Sequence, residues 1–285
     1  MSPEVPNPER RKFILNAPKS LFKGYVLLKA IEATLFTPRF VFADEVIEAN
    51  GSEWIWSTPY WFPLAKNVAD YHKLPRIYES LRLYDLAYRT RYDQPSYAEQ
   101  WEMDFAEGSD GLLQKLSPAQ YRSAGFCHAI ANAGMLEGRP SAEDNEMYGI
   151  SYGKIDRLAF LAIKHAADMP VDVTYTQSGI EQIVLNYLGD HQTPLVANIP
   201  LGQAGNWFRV IYQLIRKDNG SLWVKATNLS EDRDTDILVP ASAAQSVYFP
   251  DHEQGLVVEE HPNSKWRNPE VFKDSGRLLS DLINY

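Results

Sequence analysis

The sequence predicts an α+β fold, a helical N-terminal half packed on an antiparallel sheet. Two observations predict it. Apolar residues recur at helical spacing in the first half, as in Ile155, Leu158, Ala159, Ala162, Ile163 and Ala166. After residue 170 the period changes, and short runs rich in β-branched and aromatic residues follow one another. Helices first and strands afterwards is the α+β order. The chain's one cysteine, Cys127, opens an Ala-rich stretch ahead of those strands.

Residues 1–11 read as a flexible tail, and residues 12–285 as one domain with a helical part (12–170) and a β-rich part (171–285). Residues 17–36 read as a helix that Ser20 could cap. Residues 53–64 are strongly aromatic, and Pro59 and Pro63 make them a loop or broken strand that either covers the core or lines a groove. Residues 65–91 read as helical with Pro75 as a kink or start, and residues 97–107 as a short helix around Trp101. The cysteine helix lies within 117–137; Ser117-Pro118 opens an earlier turn, and Gly138-Arg139-Pro140 is a stop. Residues 154–168 form an amphipathic helix. The strand-like runs are 171–175, 182–188, 194–199, 208–214 and 222–226; the 182–188 run reads equally as a short helix. Asp218-Asn219-Gly220-Ser221 is a hairpin turn. A turn at Pro262-Asn263-Ser264 and a helix from Ser275 to Ile283 complete the reading.

A net charge of −9 argues against a phosphate-binding surface, and Lys and Arg are spread along the chain, so no nucleic-acid partner is expected. The apolar stretches at Phe13-Ile14-Leu15 and Tyr25-Val26-Leu27-Leu28 are too short to span a membrane. A single cysteine excludes an internal disulfide and a multi-Cys zinc site, and suits a reducing cytoplasm. No metal-ligand spacing, calcium loop or phosphate loop is present, and no cofactor is implied.

Cys127 is therefore the residue with chemistry to explain. A thiol at a helix start meets unpaired backbone N–H groups and the positive end of the dipole, both of which favour a thiolate. A lone buried cysteine is otherwise an inert small hydrophobe.

The run Gly125-Phe126-Cys127-His128-Ala129-Ile130-Ala131-Asn132-Ala133, followed by Gly138-Arg139-Pro140, resembles the cysteine region of the elicitor-type transglutaminases. Tyr84-Asp85-Leu86-Ala87-Tyr88 and Trp101-Glu102 resemble that family's upstream landmarks. Residues 183–189 with 194–198 resemble its strand pair, and residues 206–212 a further Trp/Asn landmark. The likeness covers roughly residues 70–230 and implies a transglutaminase/papain-like fold with Cys127 as the nucleophile. The family's His falls at Ile180-Glu181-Gln182 and its Asp at Asn198, so the implied triad reads Cys127, Glu181, Asn198. An ionised glutamate is a weak base, and its charge would raise the thiol pKa. His191, beside Asp190, could stand in for the imidazole.

The resemblance implies acyl transfer through an acyl-enzyme on Cys127, forming or deamidating an amide. The acyl donor would be a protein glutamine or a carrier-bound thioester, and the acceptor an amine. Trp54, Trp56, Trp61 and Trp207 would wall the acyl tunnel. The alternative is a catalytically degenerate pseudoenzyme, in which the fold persists as a binding or scaffold module. A third reading takes Glu181 or Glu102 as the base of a hydrolase or lyase and leaves the thiol aside.

Overall fold

A computed structural model describes residues 44–166, 177–200, 206–230, 236–244, 247–248 and 275–284. The expected tail (1–11), the helix over 17–36, the strand over 171–175 and the turn at 262–264 lie outside the described residues.

The described chain is mixed helix and antiparallel sheet. Strand β1 (Glu45–Glu48) comes first, then the helices α1 (Lys66–His72), α2 (Ile77–Tyr92), α3 (Ala98–Glu107), α4 (Leu112–Lys115), α5 (Pro118–Ser123) and α6 (Cys127–Leu136). A small hairpin, β2 (Asn145–Met147) and β3 (Ile150–Tyr152), leads into α7 (Lys154–Lys164). Helix α8 (Gln177–Val184) runs on into a π-helical turn, Leu185–Asp190. Strands β4 (Leu195–Pro200), β5 (Asn206–Arg216), β6 (Leu222–Ala226), β7 (Ile237–Pro240) and β8 (Val247–Tyr248) follow, and α9 (Ser275–Asn284) is last.

Local chemistry explains several boundaries. Pro75 separates α1 from α2, because the proline cannot donate within a helix. Ser117 caps α5 through a capping box with Gln120, and Pro118 sits where its missing N–H costs nothing. The Asp85 carboxylate accepts the N–H groups of Ala98 and Glu99, so α2 supplies the cap that α3 lacks in its own sequence. Residues 182–188 are helical, which settles the two readings of that run. Ile180, Val184 and Leu188 are buried at a spacing of four, a helical face.

The sheet runs in the order β7-β6-β5-β4-β8, all pairs antiparallel. Strand β5 is its spine. Its first half pairs with β4, from Asn206 opposite Pro200 to Ile211 opposite Leu195. Its second half pairs along the same edge with β1, from Gln213 opposite Glu48 to Arg216 opposite Glu45. The other edge carries β6, with a register shift between Ile211 and Gln213.

Two apolar clusters hold the molecule. One joins α1, α2, α6, α7 and α9 and includes Cys127, Phe126, Trp61 and Trp207. The other lies about the sheet and includes Ile180, Val184, Leu188, Val196, Ile211 and Val224. Ala131 of α6 belongs to the second cluster while Cys127, one turn earlier, belongs to the first. The cysteine helix therefore bridges the helical and β halves.

Candidate functional site

The head of α6 is set by the aromatic segment before it. Phe126 N–H donates to Trp61 O at 2.9 Å, and Leu64 N–H donates to Ala124 O at 3.0 Å. This short antiparallel bridge, Pro63 opposite Gly125, pins the chain immediately before Cys127. Gly125 is required by contact: a Cβ there would lie 2.6 Å from the Trp61 ring and 2.9 Å from Phe62 O. Further along α6, Gly134 admits the same segment, since its Cβ would lie 2.3 Å from Trp56 O. Trp56 Nε1–H also donates to Glu137 O at 2.9 Å, which ties the segment to the end of α6.

Cys127 is the first residue of α6 and is 8 % exposed. The expectation of a thiol at a helix start holds. Its neighbour is the first half of β5, and backbone geometry explains why. Thr227 N–H donates to Val210 O at 2.9 Å, and Val210 N–H donates to Thr227 Oγ1 at 3.2 Å. Val210 thus turns its polar groups to the β6 edge. Alternate residues repeat that direction, so Phe208 N–H points the same way, beyond the end of β6 at Ala226. There it meets the Cys127 thiol. The thiol occupies the place that a further residue of β6 would have taken.

Burial pushes the Cys127 thiol above its ordinary value. The N–H groups of Phe208, His128 and Cys127 itself, and the charge of Arg209, pull the other way without reversing the shift. Arg209 is 1 % exposed, and burial lowers its guanidinium to about 10, against a raising influence from Cys127. Among the described residues, none of its Nε, Nη1 and Nη2 atoms has a hydrogen-bond partner. Along β5 the side chains alternate, so Arg209 shares a face with Trp207 and Ile211.

The aromatic residues divide. Trp61 and Trp207 are buried and meet edge to face at 4.6 Å between centroids, in the same cluster as Cys127. Trp56 is buried against the far end of α6. Trp54 is 60 % exposed. The core-covering reading of this segment therefore accounts for Trp56 and Trp61; Trp61 O accepts from the N–H of Phe126, next to the cysteine, and Trp207 precedes the Phe208 N–H that meets the thiol.

The remaining expected site residues lie as follows. Asn198 on β4 is directly opposite Phe208, so its side chain shares the Phe208 face rather than the Arg209 face. Its Oδ1 is buried without a hydrogen-bond partner among the described residues. Glu181 lies on α8 and lines a shallow cleft with Lys217, Asp218, Trp223, Pro240 and Ser242. That cleft is at the hairpin end of β5. Phe208 and Lys217 are nine residues apart, roughly 30 Å of extended strand. His191 follows the π-helical turn, is exposed, and has its ring 5.9 Å from Tyr187. His128 packs against the ring of Phe208 at 6.0 Å, with Nε2 3.3 Å from Ala166 O. The structure thus brings Cys127, Trp61 and Trp207 together, sets Asn198 one strand away, and puts Glu181 at the other end of β5.

Arg209 is the residue that sequence reasoning passed over. The signal was present: a lone cation inside the run Trp207-Phe208-Arg209-Val210-Ile211, at a position whose i±2 neighbours are both large and apolar. In the sequence Glu102 stands as part of the Trp101-Glu102 landmark and as a candidate base. It is fully buried, and burial holds its carboxyl well above the ordinary range, with Arg76 opposing. Among the described residues no group of His, Cys, Asp or Glu could hold a metal ion, and no helix is long and apolar enough to cross a membrane. No family model, no curated protein and no solved structure matches this chain.

Proposed function

We propose that this chain is a binding module of transglutaminase-like layout whose buried cysteine site recognises a ligand without turning it over. The observation that carries this reading is the company Cys127 keeps. The thiol is buried and shifted up, and the charged side chain that acts on it is a guanidinium. Acyl transfer from an amide needs a thiolate and a group that moves a proton to the leaving amine. A protonated guanidinium stabilises an anion but takes no proton near neutral pH. Glu181, with its place in the hairpin cleft, does not supply the base.

The test is the pH dependence of Cys127 alkylation by iodoacetamide, read by intact mass. With one cysteine in the chain the adduct has a single origin. The expected apparent pKa lies above the ordinary thiol value of about 8.5 and falls to it on unfolding. A folded-state value about two units below that value overturns the reading, because it would mean a stabilised thiolate.

One observation favours acyl transfer as a second reading. Cys127 heads a ten-residue helix, and three backbone N–H groups act on its sulfur. Donors so placed suit an oxyanion. A thioester donor needs no protonation of its leaving thiolate. Cys127 sulfur would lose its proton to water and bond to the acyl carbon as the carrier's C–S bond breaks and its thiolate leaves; an amine would then bond to that carbon, the Cys127 C–S bond would break, and the amine's proton would pass to the released Cys127 thiolate. Incubation with the hexanoyl thioester of N-acetylcysteamine checks this. An acyl adduct on Cys127 that an added amine discharges supports it, and an unchanged mass removes it.

A further inference from the structure

We infer that Arg209 is the receptor for the carboxylate of a small apolar monocarboxylic acid, seated between the head of α6 and the Trp61–Trp207 pair. The inference rests on the binding reading above and names its ligand.

The first ground is the arginine itself. Its side chain is almost fully buried and its three nitrogens find no acceptor among the described residues. A buried charge without a counter-charge is among the costliest arrangements in a protein, and burial of cations is ordinarily accompanied by pairing. The adjacent thiol is not that partner while it stays protonated. The guanidinium presents a planar fork of donors, and a carboxylate is the anion that fits such a fork with two parallel hydrogen bonds.

The second ground is the head of α6. Ten residues of helix direct the positive end of their dipole at the same place. The preceding residue, Phe126, has no side-chain oxygen with which to accept the first N–H groups. An anion held by Arg209 therefore meets a second favourable field.

The third ground is what surrounds the cation. Trp207 lies on the same face of β5, two residues away, and packs on Trp61; Phe126 is buried beside Cys127. One positive charge on a strand face shared with Trp207 matches one negative charge on an apolar body. A phosphate dianion would leave an uncompensated charge in this setting.

The experiment uses the full chain with hexanoate, with hexanol and inorganic phosphate at matched concentration and ionic strength. Hexanoate at about a hundredfold over its Kd is expected to raise Tm by roughly 5 °C or more and to slow Cys127 alkylation about tenfold or more. Hexanol and phosphate should do neither. Arg209→Met should abolish both effects of hexanoate, and Arg209→Lys should keep part of them. No response of the wild-type chain to hexanoate overturns the inference, as does an equal response in Arg209→Met. A response to phosphate equal to that to hexanoate overturns the choice of a carboxylate. Should Arg209→Met not fold, the contrast of hexanoate with hexanol on the wild-type chain decides alone. A low thiol pKa in the alkylation profile would instead make the Cys127 thiolate the partner of Arg209. That outcome is distinct from a neutral thiol that hexanoate fails to protect.

Discussion

Arg157 and Arg209 are each 1 % exposed, yet their surroundings differ in kind. Arg157, on α7, donates from Nη1 to Ser141 O at 3.2 Å and to Glu143 O at 2.5 Å, and its guanidinium lies 5.2 Å from the ring centre of Tyr152. It closes the loop between α6 and the β2–β3 hairpin by consuming backbone carbonyls. Arg209, on β5, consumes none among the described residues. A buried cation with its Nη1 bonded to two carbonyls of the chain is part of the scaffold. A buried cation whose donors remain unspent among the described residues, beside the thiol at a helix start, is a place for something else to bind.

The sharpest way to break that contrast is to remove each cation. Arg157→Met should cost about 3 kcal/mol in urea unfolding, since it strands two carbonyls and loses the packing on Tyr152. Arg209→Met should leave the ligand-free chain as stable as before or raise its stability by about 1 kcal/mol or more, because an apolar side chain of similar volume replaces an uncompensated charge. Equal losses at the two positions would show that Arg209 is scaffold too.

The next largest effect concerns the approach to the thiol. Gly125→Ala should cost about 2 kcal/mol, because its Cβ meets the Trp61 ring and the Phe62 carbonyl, neither of which can yield without moving the bridge at Pro63. Gly138→Ala is the control. A Cβ there meets nothing within 4 Å, so its stability should change by no more than about 0.5 kcal/mol. Of the pair, only Gly125→Ala should also alter the rate of Cys127 alkylation.

Two carboxylates extend the comparison to pH. Glu137 caps the end of α6; burial would raise its pKa, but hydrogen bonds and charge from His165 and Lys164 outweigh this and lower it to about 2. Its folded pKa is below the unfolded value, so its contribution is present above about pH 4.5 and is lost as pH falls toward 2. Glu137→Gln should therefore cost roughly 1 kcal/mol at pH 7 and nothing near pH 2. Asp236 accepts a hydrogen bond from the Tyr212 hydroxyl, and burial raises its pKa from 3.8 to about 6, with an N–H of Asn228 opposing. The sign is reversed: the contribution is present below about pH 3.8 and is lost as pH rises through 6. Asp236→Asn should flatten the pH dependence of stability between those values, a change that urea unfolding across the range would register.

What could be read in the sequence follows the same division. Helices α2, α3, α7 and α9 and the β5–β6 hairpin were legible because each buries one periodic face or carries its own turn residues. The position of Cys127 at a helix start was legible from the small residues before it. Strand β1 was not, since its four residues Glu45–Glu48 show no apolar alternation and are held by pairing to Gln213–Arg216, far along the chain. The role of Arg209 was hidden for a similar reason. Its burial arises only in the folded chain, where Cys127 at the head of α6 comes within reach of its charge and the neighbouring Trp207 packs on Trp61. The α3 cap, which comes from Asp85 on α2, is another tertiary substitute for a missing local signal.

The smallest expected effect falls on Glu181, and it tests the separation of the two ends of β5. The carboxylate lines the hairpin cleft with Lys217 and Trp223, whereas the thiol sits at Phe208. Across roughly 30 Å, about three Debye lengths in ordinary buffer, a surface charge is almost wholly screened. Glu181→Gln should therefore leave the alkylation profile of Cys127 within about 0.1 pH unit of the wild type. Arg209→Met removes a cation next to the sulfur and should move the profile upward. A shift of a whole unit on Glu181→Gln would join the two ends of the strand and return Glu181 to the thiol as its base. A shift on Arg209→Met alone leaves the guanidinium as the side chain that governs this cysteine.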